Sequence, residues 1–201
     1  MRKYLYLTGL LLVLTGMMPV LKKYVFKVDT GKSEVYWKCD KHHGYVPLKS
    51  GRLIIDDQGN VTGIFYLDLS SLQVKDLDTD EYRTAKGILE NTLKNEFFEI
   101  DKYPDAYFRL EDVQYIQDDT YRFTGDLTMH GITVCVSFKG KLYFKKGHLY
   151  LDSEKFVIDR TAWGIYRLSP KHPYPDDEHG WTVKDSVDIR VHLVMDKISG
   201  K

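Results

Sequence analysis

The side chains best suited to chemistry in this chain are few and scattered. His42 and His43 stand side by side, His130 precedes Gly131, and Asp159-Arg160 leads into Trp163-Gly164. Imidazoles are common metal ligands, but adjacent strand residues point to opposite faces, so His42 and His43 cannot serve one ion. No cysteine or carboxylate cluster sits at ligand spacing beside them, and neither a metal nor another cofactor is implied. His130, next to a glycine at a strand junction, reads as a hydrogen-bonded support for a bend. Arg160 has two readings. Its planar donor fork could receive a phosphate or quinone oxygen, or it could pair with a carboxylate and pin the loop that follows. Trp163 could stack on such a head group or cap an opening. Catalytic signatures are missing: there is no Gly-x-Ser-x-Gly elbow, no phosphate-cradling glycine loop and no His-Glu-x-x-His.

These residues need elements to position them, and the pattern supplies strands. From Tyr121 to Met129, Tyr121, Phe123, Gly125, Leu127 and Met129 share one face, while Arg122, Thr124, Asp126, Thr128 and His130 share the other. After Gly131, alternation resumes through Ile132, Val134, Val136 and Phe138, as at a bulge or tight bend. Further strands are predicted at 35–39, 53–56, 61–69, 107–116, 148–159 and 183–195, with Gly44 and Pro47 breaking the chain after the first. The segment 76–95, with its possible caps at Asp78, Thr79 and Asp80, reads as a helical excursion. The sum is an all-β domain, an eight-stranded antiparallel barrel with one helical excursion. Cys39 phases inward with Val35 and Trp37, and Cys135 outward with Thr133 and Ser137. Thiols on opposite faces of a wall cannot meet disulfide geometry, so both are expected to be free.

Eight inward positions, Trp37, Phe65, Leu67, Phe108, Phe123, Leu127, Val134 and Val136, carry almost no polarity. An eight-stranded barrel either fills with side chains or holds one slender ligand. Alternation alone does not reveal a void, so a packed core and an apolar tunnel both remain open. Phe97 and Phe98 are expected to seal one end of that core.

Composition narrows the function. Lys and Arg number 29 and Asp and Glu number 29, giving zero formal net charge over 201 residues. No basic excess exists to neutralise phosphates, which excludes a nucleic-acid partner on electrostatic grounds. Met1-Arg2-Lys3 is followed by an uncharged run from Tyr4 to Leu21 and then by Lys22-Lys23. That order is the one of a secretory signal, so residues 1–23 read as a signal peptide or an uncleaved membrane anchor, and 24–201 as the barrel domain. Export to the periplasm or another extracytoplasmic space is expected.

Several motifs fall in a recognisable order: Phe97-Phe98-Glu99-Ile100, Lys102-Tyr103-Pro104, Gly125-Asp126-Leu127-Thr128-Met129-His130-Gly131-Ile132-Thr133, and Phe156-Val157-Ile158-Asp159-Arg160 with Trp163-Gly164-Ile165. With Trp37, His42/His43-Gly44 and Phe65 to Leu72, they resemble the YceI-like family of lipocalin-like, polyisoprenoid-binding proteins. The resemblance implies a non-catalytic role: binding, sequestering or transporting an isoprenoid lipid, either a polyprenyl phosphate or a quinone. The eight inward residues would line the site, and His130, Arg160 and Trp163 would meet the head group. Two other classes stay open, a ligand-free barrel acting through protein partners and an enzyme on an isoprenoid substrate.

Overall fold

Period-two alternation over the second half of the chain produces long antiparallel strands whose apolar faces need one another, and the sheet closes on itself. A computed structural model describes residues 23–40, 42–173 and 181–199. The strands are β1 (Tyr24–Val28), β2 (Glu34–Cys39), β3 (His42–Ile55), β4 (Val61–Leu67), β5 (Gln73–Val74), β6 (Ala106–Gln117), β7 (Thr120–Met129), β8 (Ile132–Lys145), β9 (His148–Ser153), β10 (Phe156–Asp159) and β11 (Ser186–Ser199). Helix α1 (Arg83–Thr92) lies between β5 and β6 and continues into a wider turn at Leu93–Phe97. Pairing runs β11-β2-β3-β4-β6-β7-β8-β9, and β9 returns to β11, so eight antiparallel strands form a closed barrel. The expected fold class holds.

The remaining strands complete positions in this ring. β1 pairs with both β3 and β11, beside the stretch of each that β2 leaves uncovered. β10 does the same beside β9 along β11. Two positions around the barrel are therefore built from two short strands each, which is why 148–159 reads as one strand in sequence but is interrupted at Glu154-Lys155.

β3 departs from expectation, because neither Gly44 nor Pro47 breaks it. Pro47 stands opposite Glu34, the first residue of β2, and the register shifts just beyond it between Leu48 and Ser50. A missing N–H is tolerated at such a strand end beside a bulge. Gly44 is required by crowding instead. A Cβ there would lie 1.8 Å from the Gln73 carbonyl oxygen, where β5 presses on β3. The helical excursion runs without a break from a short turn at Asp80–Tyr82 through α1 to Phe97, close to the 76–95 segment.

Buried apolar residues form two clusters. One gathers Phe26, Val28, Leu53, Leu110, Phe123, Phe138, Leu149 and Met195 towards one end of the barrel. The other gathers Trp37, Val46, Leu69, Leu72, Val74, Phe97, Met129, Trp163 and Ile165 beneath α1 and the loops at the opposite end. Val35, Leu67 and Val136 touch both. Cys39 and Cys135 are free thiols on opposite sides of the wall. The N-terminal segment 1–22 lies outside the described residues, as does 174–180 in the long loop before β11.

Candidate functional site

The barrel is hollow along a stretch lined by residues of both clusters. A cavity of about 440 Å³ occupies the axis, within the size range of small-molecule sites. Its walls explain the void. Val35, Leu67, Phe108, Leu127, Val136, Ile189 and Val191 face inward yet remain only half-buried, which inward side chains of a filled barrel would not be.

Of the eight residues expected along this wall, seven line the cavity: Trp37, Phe65, Leu67, Phe108, Phe123, Leu127 and Val136. Val134 does not. It stands opposite Leu127, near the β7–β8 turn, and packs against the cluster containing Trp163. Sequence reasoning missed the contributions of Leu89 on α1, of Leu93 in the wider turn after it, and of Val187, Ile189 and Val191 on β11. The alternation in β11 was a signal that could have found the latter. The helical residues have none, because which face of an irregular helix meets a barrel is a tertiary outcome. Phe97 and Phe98 both line the cavity below that helix.

The three expected head-group contacts are differently placed. Trp163 is 2% exposed, does not line the cavity, and donates from Nε1 to the Leu127 carbonyl at 2.9 Å. It plugs one end of the barrel and does not cap an opening. His130 is also outside the lining. With Gly131 it forms the two-residue β7–β8 turn, both at positive φ, +51° and +73°, the backbone that a tight hairpin demands. Its Nδ1 lies 3.0 Å from the Trp163 carbonyl and its Nε2 2.6 Å from Glu99 Oε2, with the Tyr103 ring 4.2 Å away. The histidine thus ties the turn to the plug and to the segment after α1, in agreement with the supporting role expected for it.

Arg160 does line the cavity, but its donors are committed. Nε donates to the Lys184 carbonyl (3.1 Å), Nη1 to those of Ile165 (2.6 Å) and Arg167 (2.8 Å), and Nη2 to that of Val183 (2.9 Å). Nη2 also lies 3.3 Å from Asp185 Oδ1, an ion pair outside hydrogen-bond geometry. A guanidinium has five N–H donors; four meet carbonyls and the fifth lies on the side of the buried Asp185 carboxylate, so none is presented to a ligand phosphate. Of the two readings of Arg160, the pin on the following loop is the one realised. Burial pulls its pKa below the usual value, against the opposing pull of Asp185.

Two further polar side chains lining the cavity, His42 and Cys39, are similarly occupied. His42 lines it and contacts Asp76 at 2.7 Å through Nδ1, while the same carboxylate accepts from the His43 backbone N–H. The Cys39 thiol donates to the Lys184 carbonyl, and burial pushes its pKa up to about 11, so it is not a nucleophile at neutral pH. The cavity offers an apolar chain a place to lie and a charged group nothing to bind.

A YceI-like domain model matches residues 26–195, nearly the whole barrel. The chain belongs to the YceI-like family. Among solved structures, the YceI-like barrel overlays on Burkholderia cenocepacia BcnA with a TM-score of 0.56, 20% identity, and 83% of this chain against 98% of that one. It also overlays on a polyisoprenoid binding domain from Saccharophagus degradans, described as implicated in plant cell wall breakdown, with a TM-score of 0.55, 11% identity, and 86% against 98% coverage. At such identities these likenesses establish the fold. A curated relative, the UPF0312 protein of Pseudomonas putida, is 50% identical over 44 residues, which span 22% of this YceI-like chain and 23% of that protein.

Proposed function

We propose that this chain binds an isoprenoid lipid, a polyprenyl phosphate or an isoprenoid quinone, and sequesters or carries it without chemical change. The observation that carries the reading is the hollow axis, whose walls are apolar over the stretch where an eight-stranded barrel could have been filled. A prenyl tail makes no hydrogen bonds, so such a wall meets all its needs. Each buried CH₂ contributes about 0.8 kcal/mol, so an isoprene unit of five carbons contributes about 4 kcal/mol. A few units bring affinity into a useful range after the costs of association are met. The S. degradans neighbour, described as polyisoprenoid-binding, supports the same ligand class. An apolar cargo suits a location next to a membrane, and export followed by release or anchoring through residues 1–23 belongs to this proposal.

The test is direct. The protein, purified from its host without detergent, is extracted with organic solvent and the extract analysed by mass spectrometry. Recovery of a prenyl lipid in near-stoichiometric amount, chemically unchanged after prolonged incubation, is the expected result. An extract free of lipid, from protein that also fails to take up added prenyl lipid, refutes the carrier role.

A further inference from the structure

The cavity has a mouth and a floor. At the α1 end its lining includes Leu89 and Thr92 of that helix and Trp181, which is 73% exposed. Towards the other end the lining stops at one level on every strand. On β7 and β8 it reaches Phe123 and Phe138, partners across the ladder, and not Tyr121 or Leu142 beyond them. On β9 and β11 it reaches Leu151 and Leu193, whereas Leu149 and Met195, 2% and 0% exposed, lie behind. A stack of rings marks that level. Phe138 lies 5.4 Å from Phe123 at 21° and 4.7 Å from Phe156 at 11°, with Phe108 5.8 Å away.

We infer that Phe138, held between Phe123 and Phe156, is a length stop: the prenyl tail enters end-first from the Trp181 mouth, and the Phe138 ring fixes how many isoprene units the barrel accepts. The inference rests on the cavity being the lipid site. A head group does not lead, because the floor is hydrocarbon and its desolvation there would go unreturned. The tail leads and the head stays at the mouth. Each unit that finds room in the cavity adds its transfer free energy to binding. Once the tail end meets the stack, a further unit stays outside in water and adds nothing. The stop is firm because the residues behind it are fully packed, and a close-packed interior does not yield by the width of a hydrocarbon chain.

The probes are all-trans prenyl alcohols, from two isoprene units to eight, bound to the wild type and to Phe138→Ala. Wild-type affinity is expected to rise by up to about a thousandfold per unit as far as a limiting length, and then to stay level. Phe138→Ala removes a ring of six carbons, about the room that the five carbons of one unit need. The limit is expected to move up by one unit. The first tail past the wild-type limit gains roughly tenfold or more, and tails well short of it bind as before. Phe138→Leu, a smaller cut that keeps an apolar branched side chain, shows a smaller gain at the same tail length and carries the test if the alanine variant does not fold. A wild-type affinity that climbs through all eight units, a limit unmoved in a folded variant, or a gain equal at every length overturns the length stop and leaves the lipid reading standing. If no alcohol binds the wild type, the lipid reading itself fails, and the length stop falls with it.

Discussion

Val136→Trp is the sharpest test of the hollow axis. Val136 lies in the first half of β8, lines the cavity, is half-buried and touches both core clusters, so a larger side chain there projects into the cavity and not into packed core. In a filled barrel such overpacking costs about 1–3 kcal/mol. Here the indole enters empty space, and the expected change in stability is close to zero. Ligand affinity responds oppositely. An indole across a cavity of about 440 Å³ displaces roughly the five carbons of one isoprene unit, worth about 4 kcal/mol, or about a thousandfold in affinity. The assay is displacement of a fluorescent prenyl analogue, with thermal unfolding run alongside. A variant that melts with the wild type and still binds the analogue with unaltered affinity refutes the placement of the tail along the axis. One that unfolds like an overpacked core refutes the void.

Arg160→Lys is expected to destabilise the fold by about 3–5 kcal/mol in denaturant titration, because a single ammonium cannot serve four carbonyls and Asp185; loss of lipid affinity with stability intact would instead restore Arg160 as a head-group contact. Hydrogen bonds from Lys171 and then Thr161 hold the Asp159 carboxyl down at about 2, below its value of about 3.9 in the unfolded chain. Its contribution to stability is therefore complete above about pH 4 and lost as pH falls towards about 2. Asp159→Asn should narrow its stability gap from the wild type across that window in acid titrations, and a gap constant with pH would refute the pairing. Cys135 is exposed, whereas burial holds Cys39 at about 11. A thiol reagent at neutral pH should modify Cys135 quickly and Cys39 only after denaturation, and two equally fast thiols, or none, would contradict the wall geometry.

The barrel was legible because alternation survives wherever one face is buried and the other wet, as along β7 and β8. It failed where a strand is shared or crowded. Pro47 stays in β3 because its ladder partner ends there, and β9 and β10 are separate because β11 receives them one after the other. Neither fact is local. The site divided in the same way. Inward phase placed seven of the eight wall residues correctly, while Val134 shares that phase and stands opposite Leu127, yet only Leu127 reaches the cavity. Phase gives the side of a wall, not which neighbour covers a residue there. Arg160 illustrates a further gap, since its identity announces five donors and nothing in the sequence says that four carbonyls from 165 to 184 will fold back onto them.

Why the middle is empty is a question of side-chain size at each level of the barrel. At one end Phe26, Phe123 and Phe138 meet, with Phe138 stacked on Phe123 at 5.4 Å and on Phe156 at 4.7 Å. At the other, Trp37, Phe97 and Trp163 fill the space below α1, with Arg160 5.4 Å over the Phe97 ring. Between them the side chains shared by both clusters are Val35, Leu67 and Val136. An eight-stranded ring is just wide enough for side chains to meet at its axis. Aromatic rings bridge that distance and valines do not. Rings that line the cavity, Trp37, Phe97, Phe123 and Phe138 among them, reach further across the axis, while at the aliphatic level the β-branched valines, stiff about χ1, cannot swing inward to fill the gap. Void and seal thus follow from the same geometry with different residues. Any substitution that raises side-chain size at the Val35–Leu67–Val136 level should exclude ligand in proportion to the volume added, without costing the barrel its fold.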